Sequence, residues 1–412
     1  MVIMRERYLG AAVAEIAWAA NKMAFVSGPR QCGKTTLAKL KLAERATGRY
    51  ANWDDVEVRR TWVRAPKELV RFTNAPDGTP LLALDEIHKA KGWKRTLKGI
   101  YDTLENPCDI LVTGSARLAV YKKGGDSLVG RYFDFRLHPF SLGELESGKP
   151  SSPEDFLEGV FEGGAPRPED SLQKTLEGLL RYGGFPEPFL RQSARFARLW
   201  QLGRTEKVVR EDLRDLSRIP ELSRVEMLVA LLPDKAAQPL SVQSLREDLE
   251  VAHDTVRRWL NYLAELYYLY EIKPYSKSIP RSLKREGKLY LWDWSEVPEP
   301  GPRFENLVAG HLLKAAHYWT DTGEGLFQLH YLRNKQKQEV DFLLTRDRLP
   351  WLAVECKLAD TALHPGFQAF VPRIQCGRFV QLVAAPAVRK PVTVGASRGL
   401  IVSAAPFLAH CP

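Results

Sequence analysis

The sequence predicts an α/β protein whose first third is a mostly parallel sheet flanked by helices, and three observations carry that reading. From residue 22 to about 137, apolar strand-like runs alternate with helical patterns, as chains that build parallel sheets do. Gly28 to Thr36 read GPRQCGKTT, set between the apolar run Met23-Ala24-Phe25-Val26 and a helical pattern carrying Leu37, Leu40 and Leu42 with Ala38 and Ala43. Leu81 to Glu86 read LLALDE, an apolar strand ending in two acids, about fifty residues downstream as a parallel sheet requires.

Taken in order, the first element is Leu9 to Ala20. Glu15 interrupts its apolar run and Asn21 and Lys22 follow, so it reads as an amphipathic helix packed beside the first strand, neither signal peptide nor membrane span. Strands are expected at 23–27, 49–53, 80–85, 109–114 and 131–137. Between the first strand and its helix, Gly28, Pro29, Arg30, Gln31, Cys32, Gly33, Lys34, Thr35 and Thr36 form a phosphate-binding loop. Its glycines let the backbone turn its N–H groups inward, and the following helix adds the positive end of its dipole. The ligand this implies is a nucleoside triphosphate such as ATP, with Lys34 reaching the β- and γ-phosphates and the Thr35 hydroxyl on Mg²⁺. Asp85 is then expected in the Mg²⁺ shell, and Glu86 beside the attacking water, orienting or deprotonating it. The fourth strand ends in Thr113-Gly114-Ser115, where a hydroxyl either sits beside the γ-phosphate or caps the next turn. Gly130-Arg131 opens the fifth; Arg131 is either a surface arginine or a finger aimed at a neighbouring subunit's nucleotide, which would make the chain a homo-oligomer.

The 412 residues are too many for one ordinary core, and two to four domains are expected. A hydrophobic fraction of 44% and a charged fraction of 27% are those expected of a soluble globular protein. The net charge of +10 favours an acidic partner such as nucleic acid over an acidic small substrate, or else marks a basic surface that binds nothing. Cys32, Cys108, Cys356, Cys376 and Cys411 form neither a metal-type pair nor an even framework, which reads as a reducing cytoplasm.

Pro- and Gly-rich sequence from Gly148 to Pro168 marks the first boundary, and helical periodicity dominates from about 170 to 233, broken by the turn chemistry of Tyr182-Gly183-Gly184-Phe185-Pro186. Residues 239–294 read as a winged helix-turn-helix. Ser241 starts one helix through Leu249, and Asp254 caps a second with Val256, Trp259, Leu260, Leu263 and Leu266 on its apolar face. Thr255, Arg257, Arg258, Asn261 and Tyr262 occupy the opposite face. Strand-like Tyr267 to Tyr275, a basic turn with Lys277, Arg281, Lys284 and Arg285, and strand Lys288 to Trp292 follow. That basic face and wing suit a DNA backbone or groove; protein docking is the other use of such a module.

From about 300, Phe304-Glu305-Asn306 lies on an amphipathic helix, followed by strands Leu326–Arg333, Gln338–Thr345 and Trp351–Lys357. A regular hairpin turning at Arg348 places Asp341 opposite Glu355, with Lys357 two residues on. Two facing carboxylates repel unless a cation lies between them. Mg²⁺ is one answer, with Asp341 and Glu355 as ligands, Lys357 positioning water or stabilising the transition-state charge, and Glu305 as a further ligand or brace. A solvated face in which Lys357 neutralises the acids is the other.

In these motifs the chain from about Arg5 to residue 385 resembles the bacterial and archaeal AAA-type ATP-binding proteins that carry a C-terminal DUF4143 region. The marks are GPRQCGKTTL, LLALDEIHK, LVTGSAR, Gly130-Arg131, GGFPE, KLYLWD and the trio FEN, EVDF and ECK. The resemblance implies an α/β P-loop NTPase core of AAA+ type, a helical and winged-helix middle, and a last domain similar to PD-(D/E)XK restriction-endonuclease-like folds. It places Lys34, Thr35, Asp85 and Glu86 in the nucleotide site and Glu305, Asp341, Glu355 and Lys357 in the nuclease-like one. Val340, where that family of folds has proline, is a departure. The expected division is 1–150, 151–236, 237–298 and 299–412. The expected activity is Mg²⁺-dependent ATP hydrolysis coupled to DNA engagement, with metal-dependent phosphodiester cleavage as an extra; the alternative is a slow nucleotide switch that recruits a protein, its nuclease-like domain inactive.

Overall fold

The computed structural model describes residues 5–72, 78–114, 128–163, 169–213, 222–276 and 286–412. Ser115 and the basic-turn residues Lys277, Arg281, Lys284 and Arg285 lie outside them. The chain divides into two compact units, Met1–Pro139 and Phe140–Pro412. Among the described residues all five cysteines are free, and no helix is long and apolar enough to cross a membrane.

The first unit is built on five parallel strands, β1 (Met23–Ser27), β2 (Gly48–Asn52), β3 (Leu81–Asp85), β4 (Asp109–Gly114) and β5 (Tyr132–Arg136), in spatial order β2-β3-β4-β1-β5. Each of the five expected strands is present within a residue or so of its expected bounds. β1 and β3 are buried along their whole length, which is why they read as continuous apolar runs rather than alternating ones. Helices Val56–Arg64 and Trp93–Asp102 cover one face through Trp62, Trp93, Leu97 and Ile100, packed on Phe25, Leu82, Leu84, Ile110 and Val112. The N-terminal apolar stretch forms a helical turn, Leu9–Ala12, that widens into Val13–Trp18 and packs on β1, as its composition implied. Because every strand runs the same way, the segments leaving β1, β3 and β4 gather along one edge of the sheet.

The second unit holds an eight-stranded mixed sheet in the order β12-β13-β11-β10-β9-β8-β6-β7. Its strands are β6 (Leu269–Pro274), β7 (Lys288–Leu291), β8 (Phe327–Arg333), β9 (Glu339–Arg346), β10 (Leu349–Lys357), β11 (Arg378–Val383), β12 (Arg389–Val394) and β13 (Ser397–Ser403). Helix Pro300–Asp321 lays Phe304, Leu307, Val308, Leu312 and Trp319 on one face of it, and helix Pro365–Ile374 covers the other through Phe367, Phe370 and Val371.

The helix pair expected at 241–266 is present, as Val242–Leu249 with Ser241 capping and His253–Glu265. One detail is corrected: Ala252, not Asp254, is the cap of the second helix, and Asp254 sits in its first turn, where its charge still favours the helix dipole. The expected segments 151–236, 237–298 and 299–412 all lie within the second compact unit, Phe140–Pro412. The hairpin β6–β7 links the last two. Strand alternation sends Leu289 and Leu291 into the core of the helix pair, while Tyr290, with Ile272 of β6, enters the core of the last sheet. Lys273 and Pro274 then pair in parallel with His330 and Tyr331 of β8, so the hairpin is part of the larger sheet.

Candidate functional site

At the edge of the first sheet, β1 leads through the phosphate loop into helix Lys34–Ala43, whose cap is Gly33 at φ 102°. That left-handed backbone suits glycine, and a Cβ there would stand 2.7 Å from Nη1 of Arg7. At Gly28 a Cβ would run into the carbonyl of Leu137. Both loop glycines are therefore fixed by geometry. Lys34 Nζ, almost wholly buried, donates to the carbonyls of Gly28 at 2.9 Å and Pro29 at 2.6 Å, so its ammonium arches back over the loop. Gln31 has a left-handed φ of 62°, and Cys32 is buried beneath the loop.

Asp85, at the end of β3, is the hub. Its Oδ2 accepts from Thr35 Oγ1 and from the Tyr50 hydroxyl, each at 2.7 Å, and its Oδ1 accepts from Thr113 Oγ1 at 2.6 Å. Residues from the loop helix, β2, β3 and β4 thus converge on one carboxylate. A threonine hydroxyl paired with an aspartate is the hard-oxygen set that Mg²⁺ takes, so Thr35 and Asp85 could hold it. Glu86 follows in the left-handed region at φ 58°, its backbone N–H donating to Thr113 O at 3.0 Å. Such a conformation is uncommon for a residue other than glycine, and it is found disproportionately at functional positions. The Glu86 carboxylate lies 3.6 Å from both His88 Nε2 and Lys89 Nζ.

The sequence-expected residues Lys34, Thr35, Asp85, Glu86 and Thr113 are thus brought together. Thr113 acts on Asp85, a role the sequence did not indicate. Arg131 is elsewhere, at the entry to β5 and so at the opposite edge of the sheet from its own phosphate loop, where Asp102 grips it at 2.6 and 3.0 Å. Sequence reasoning missed Tyr50 and Arg7. Burial, reinforced by the hydrogen bond and charge of Asp85, holds the Tyr50 phenol above its ordinary range, so it stays a donor. Arg7, buried, donates to the carbonyls of Cys32 and His138, the latter at 2.6 Å, and braces the loop from outside. The one signal for Tyr50 was its place on the strand beside Asp85; Arg7 gave none.

On helix His253–Glu265, Arg257 is tied to Glu271 at 3.2 Å, leaving Arg258 and Asn261 as the exposed polar residues of that helix face.

The second candidate site forms where β7, β9, β10 and helix Pro300–Asp321 meet. The β9–β10 hairpin differs from the regular one expected. Its turn is the two-residue Asp347-Arg348, both at positive φ, and a register shift between Pro350 and Leu352 adds back the missing residue. The two departures cancel, so Asp341 still faces Glu355, and its N–H donates to Glu355 Oε2 at 3.1 Å. Lys357 meets Glu355 Oε1 at 2.7 Å. Where a metal would be sought there is a side chain the sequence reading had not weighed: Lys288 Nζ lies 3.0 Å from Glu305 Oε1, 2.5 Å from Glu339 Oε1 and 3.2 Å from Asp341 Oδ1. Among the described residues no group of three or more His, Cys, Asp or Glu is arranged to hold a metal ion. Glu305 and Asp341 are therefore assembled around the Lys288 ammonium, while Glu355 pairs with Lys357. Burial, then the charge of Asp341, raises the carboxyls of Glu305 and Glu355, and the surrounding acids hold the Lys288 ammonium above its ordinary range against its burial.

Comparison with known proteins matches three segments of the chain. Residues 20–146 match the family described as an AAA domain, residues 173–295 match DUF8612 and residues 300–383 match DUF4143, the last two of unknown function. An uncharacterized protein of Mycobacterium tuberculosis is 24% identical over 272 residues, 65% of this chain and 54% of its own length. An uncharacterized protein of Haemophilus influenzae is 22% identical over 291 residues, 67% of this chain and 66% of its own. The chain thus spans about half the length of the mycobacterial relative. Among solved structures, AMPPCP-bound DnaA from Aquifex aeolicus is 16% identical over 62% of this chain and 86% of that one, with a TM-score of 0.27. Drosophila ORC bound to DNA is 14% identical over 68% and 89%, with a TM-score of 0.26. Likenesses this loose carry no function across. The family matches over the phosphate loop and over the last sheet stand by themselves: the chain carries an AAA domain at its N-terminal end and a DUF4143 region at its C-terminal end.

Proposed function

We propose that the first unit is a Mg²⁺-dependent ATPase, converting ATP and water to ADP and phosphate, and that its turnover is coupled to DNA. The observation that carries this reading is the convergence of Thr35, Tyr50 and Thr113 on Asp85 directly beneath the phosphate loop. Phosphoryl transfer asks a protein mainly for positioning and charge neutralisation. Lys34 would exchange its two loop carbonyls for the β- and γ-phosphates, and Thr35 with Asp85 would hold the Mg²⁺, which supplies charge to the phosphate oxygens. Glu86, at the end of β3, would orient the attacking water. Arg131 enters only from a neighbouring copy, after release from Asp102. Support for DNA is the net charge of +10 and the exposed Arg258 and Asn261 on the second helix of the winged-helix segment.

One observation favours a second reading. Lys89 Nζ and His88 Nε2 each lie 3.6 Å from the Glu86 carboxylate, so the group that would orient the attacking water already has neighbours of its own. A chain that holds nucleotide, turns over slowly and recruits a protein would look the same. Phosphate release with and without duplex DNA separates the two: the coupled ATPase is accelerated and loses the effect as salt rises, whereas a rate indifferent to every nucleic acid leaves the switch. A further expectation concerns Tyr50. Tyr50→Phe removes one net hydrogen bond to Asp85, and the Mg²⁺ concentration for half-maximal turnover should rise by about 2- to 10-fold. An unchanged Mg²⁺ titration would place Tyr50 outside the site.

A further inference from the structure

The acids that a nuclease reading assigns to a metal are already served by the chain itself. Lys288 is 2% exposed and has three N–H donors, which meet Glu305, Glu339 and Asp341. Other donors share the cluster. Glu305 Oε1 also takes the Tyr290 hydroxyl at 2.7 Å, Asp341 Oδ2 takes the N–H of Cys356 at 3.0 Å, and Glu355 is shared between Lys357 and the N–H of Asp341. Arg333 lies 2.9 Å from the other oxygen of Glu339. A divalent ion needs several of these oxygens at about 2.0–2.6 Å in an open shell. It would stand within about 3 Å of an ammonium that cannot leave without breaking three ion pairs.

We propose that Lys288 is the resident cation of this cluster, that it excludes divalent metal, and that the cluster serves to fasten β7 to β9 and to helix Pro300–Asp321 rather than to cleave phosphodiesters. The same lysine that begins the wing's second strand supplies the positive charge, so the clamp closes only when that hairpin docks on the sheet. The alternation that sends Leu289 and Leu291 to the helix pair turns Lys288 and Tyr290 toward Glu305, which is why one short strand can do both.

The test uses the full chain without nucleotide, so its outcome is independent of the ATPase reading. Mn²⁺ is titrated and free metal is followed by its paramagnetic resonance signal, with Asp341→Asn as the reference. Wild type and D341N should titrate alike, and supercoiled plasmid should stay intact with either protein. In parallel, Lys288→Met should lower Tm by about 5–10 °C, because it strands buried carboxylates, and the double variant K288M/D341N should recover part of that loss. Lys288→Arg, which keeps the charge, provides a folded control should K288M not fold. A Mn²⁺ site present in wild type and absent in D341N overturns the proposal, as does a K288M protein with unchanged Tm.

Discussion

Glu86→Gln should leave ATP binding within about twofold of wild type and lower multiple-turnover phosphate release by about 100-fold or more, the share a positioned general base commonly supplies. The substitution keeps the length of the side chain and removes only its charge and proton affinity, and glutamine meets the same backbone demand at φ 58° that glutamate does. The loss should appear in the rate and not in nucleotide affinity, because the Glu86 carboxylate faces His88 and Lys89, whereas Asp85 carries the Thr35 contact. Phosphate release alongside nucleotide titration reads both quantities on one preparation. A variant that hydrolyses at the wild-type rate would remove Glu86 from the chemistry and leave the slow-switch reading in its place.

Lys34→Ala should have the larger effect on binding. Two charge-assisted hydrogen bonds to phosphate, each worth about 1.5–3 kcal/mol, disappear together, so the dissociation constant for ATP should rise by about 100-fold or more. ADP, lacking the γ-phosphate, should lose less. The same ammonium holds the carbonyls of Gly28 and Pro29. Its removal therefore also loosens the loop itself, which is why circular dichroism and Tm belong beside the titration. Unchanged affinity in a folded K34A protein would defeat the nucleotide site itself, and with it every coupled function proposed for this chain.

The nucleotide side was legible because its determinants are local. A buried parallel strand, a glycine loop and a helix are contiguous from Met23 to Ala43, and Asp85 closes a strand that reads as an apolar run. What the sequence could not express was distance. Arg7 and Tyr50 reach their partners across the fold, and neither carries a spacing that marks it. The last sheet teaches the same lesson more sharply. Asp341 opposite Glu355 was expected from a hairpin turning at Arg348, and the pair is there because a tighter turn and a bulge near Trp351 offset each other. Period-2 patterning fixed which faces were buried, so the register had to be restored before Val354 could face the core with Phe342. Lys288 was hidden for a different reason. Its neighbours pointed to an ordinary apolar strand, and a lysine at the end of one is normally solvated; only the assembled sheet surrounds it with acids.

Those two cores sharing one hairpin have a consequence for how the polypeptide matures as it is synthesised. The helix pair leaves the ribosome well before β8 and β9, yet it cannot finish its own interior without Leu289 and Leu291, and the reverse side of that ribbon stays greasy until Phe342 and its neighbours arrive. Nascent chains that have emerged to residue 300 but not yet to Phe327 therefore present a half-covered ribbon with an open edge, the kind of surface that invites chaperones or self-association.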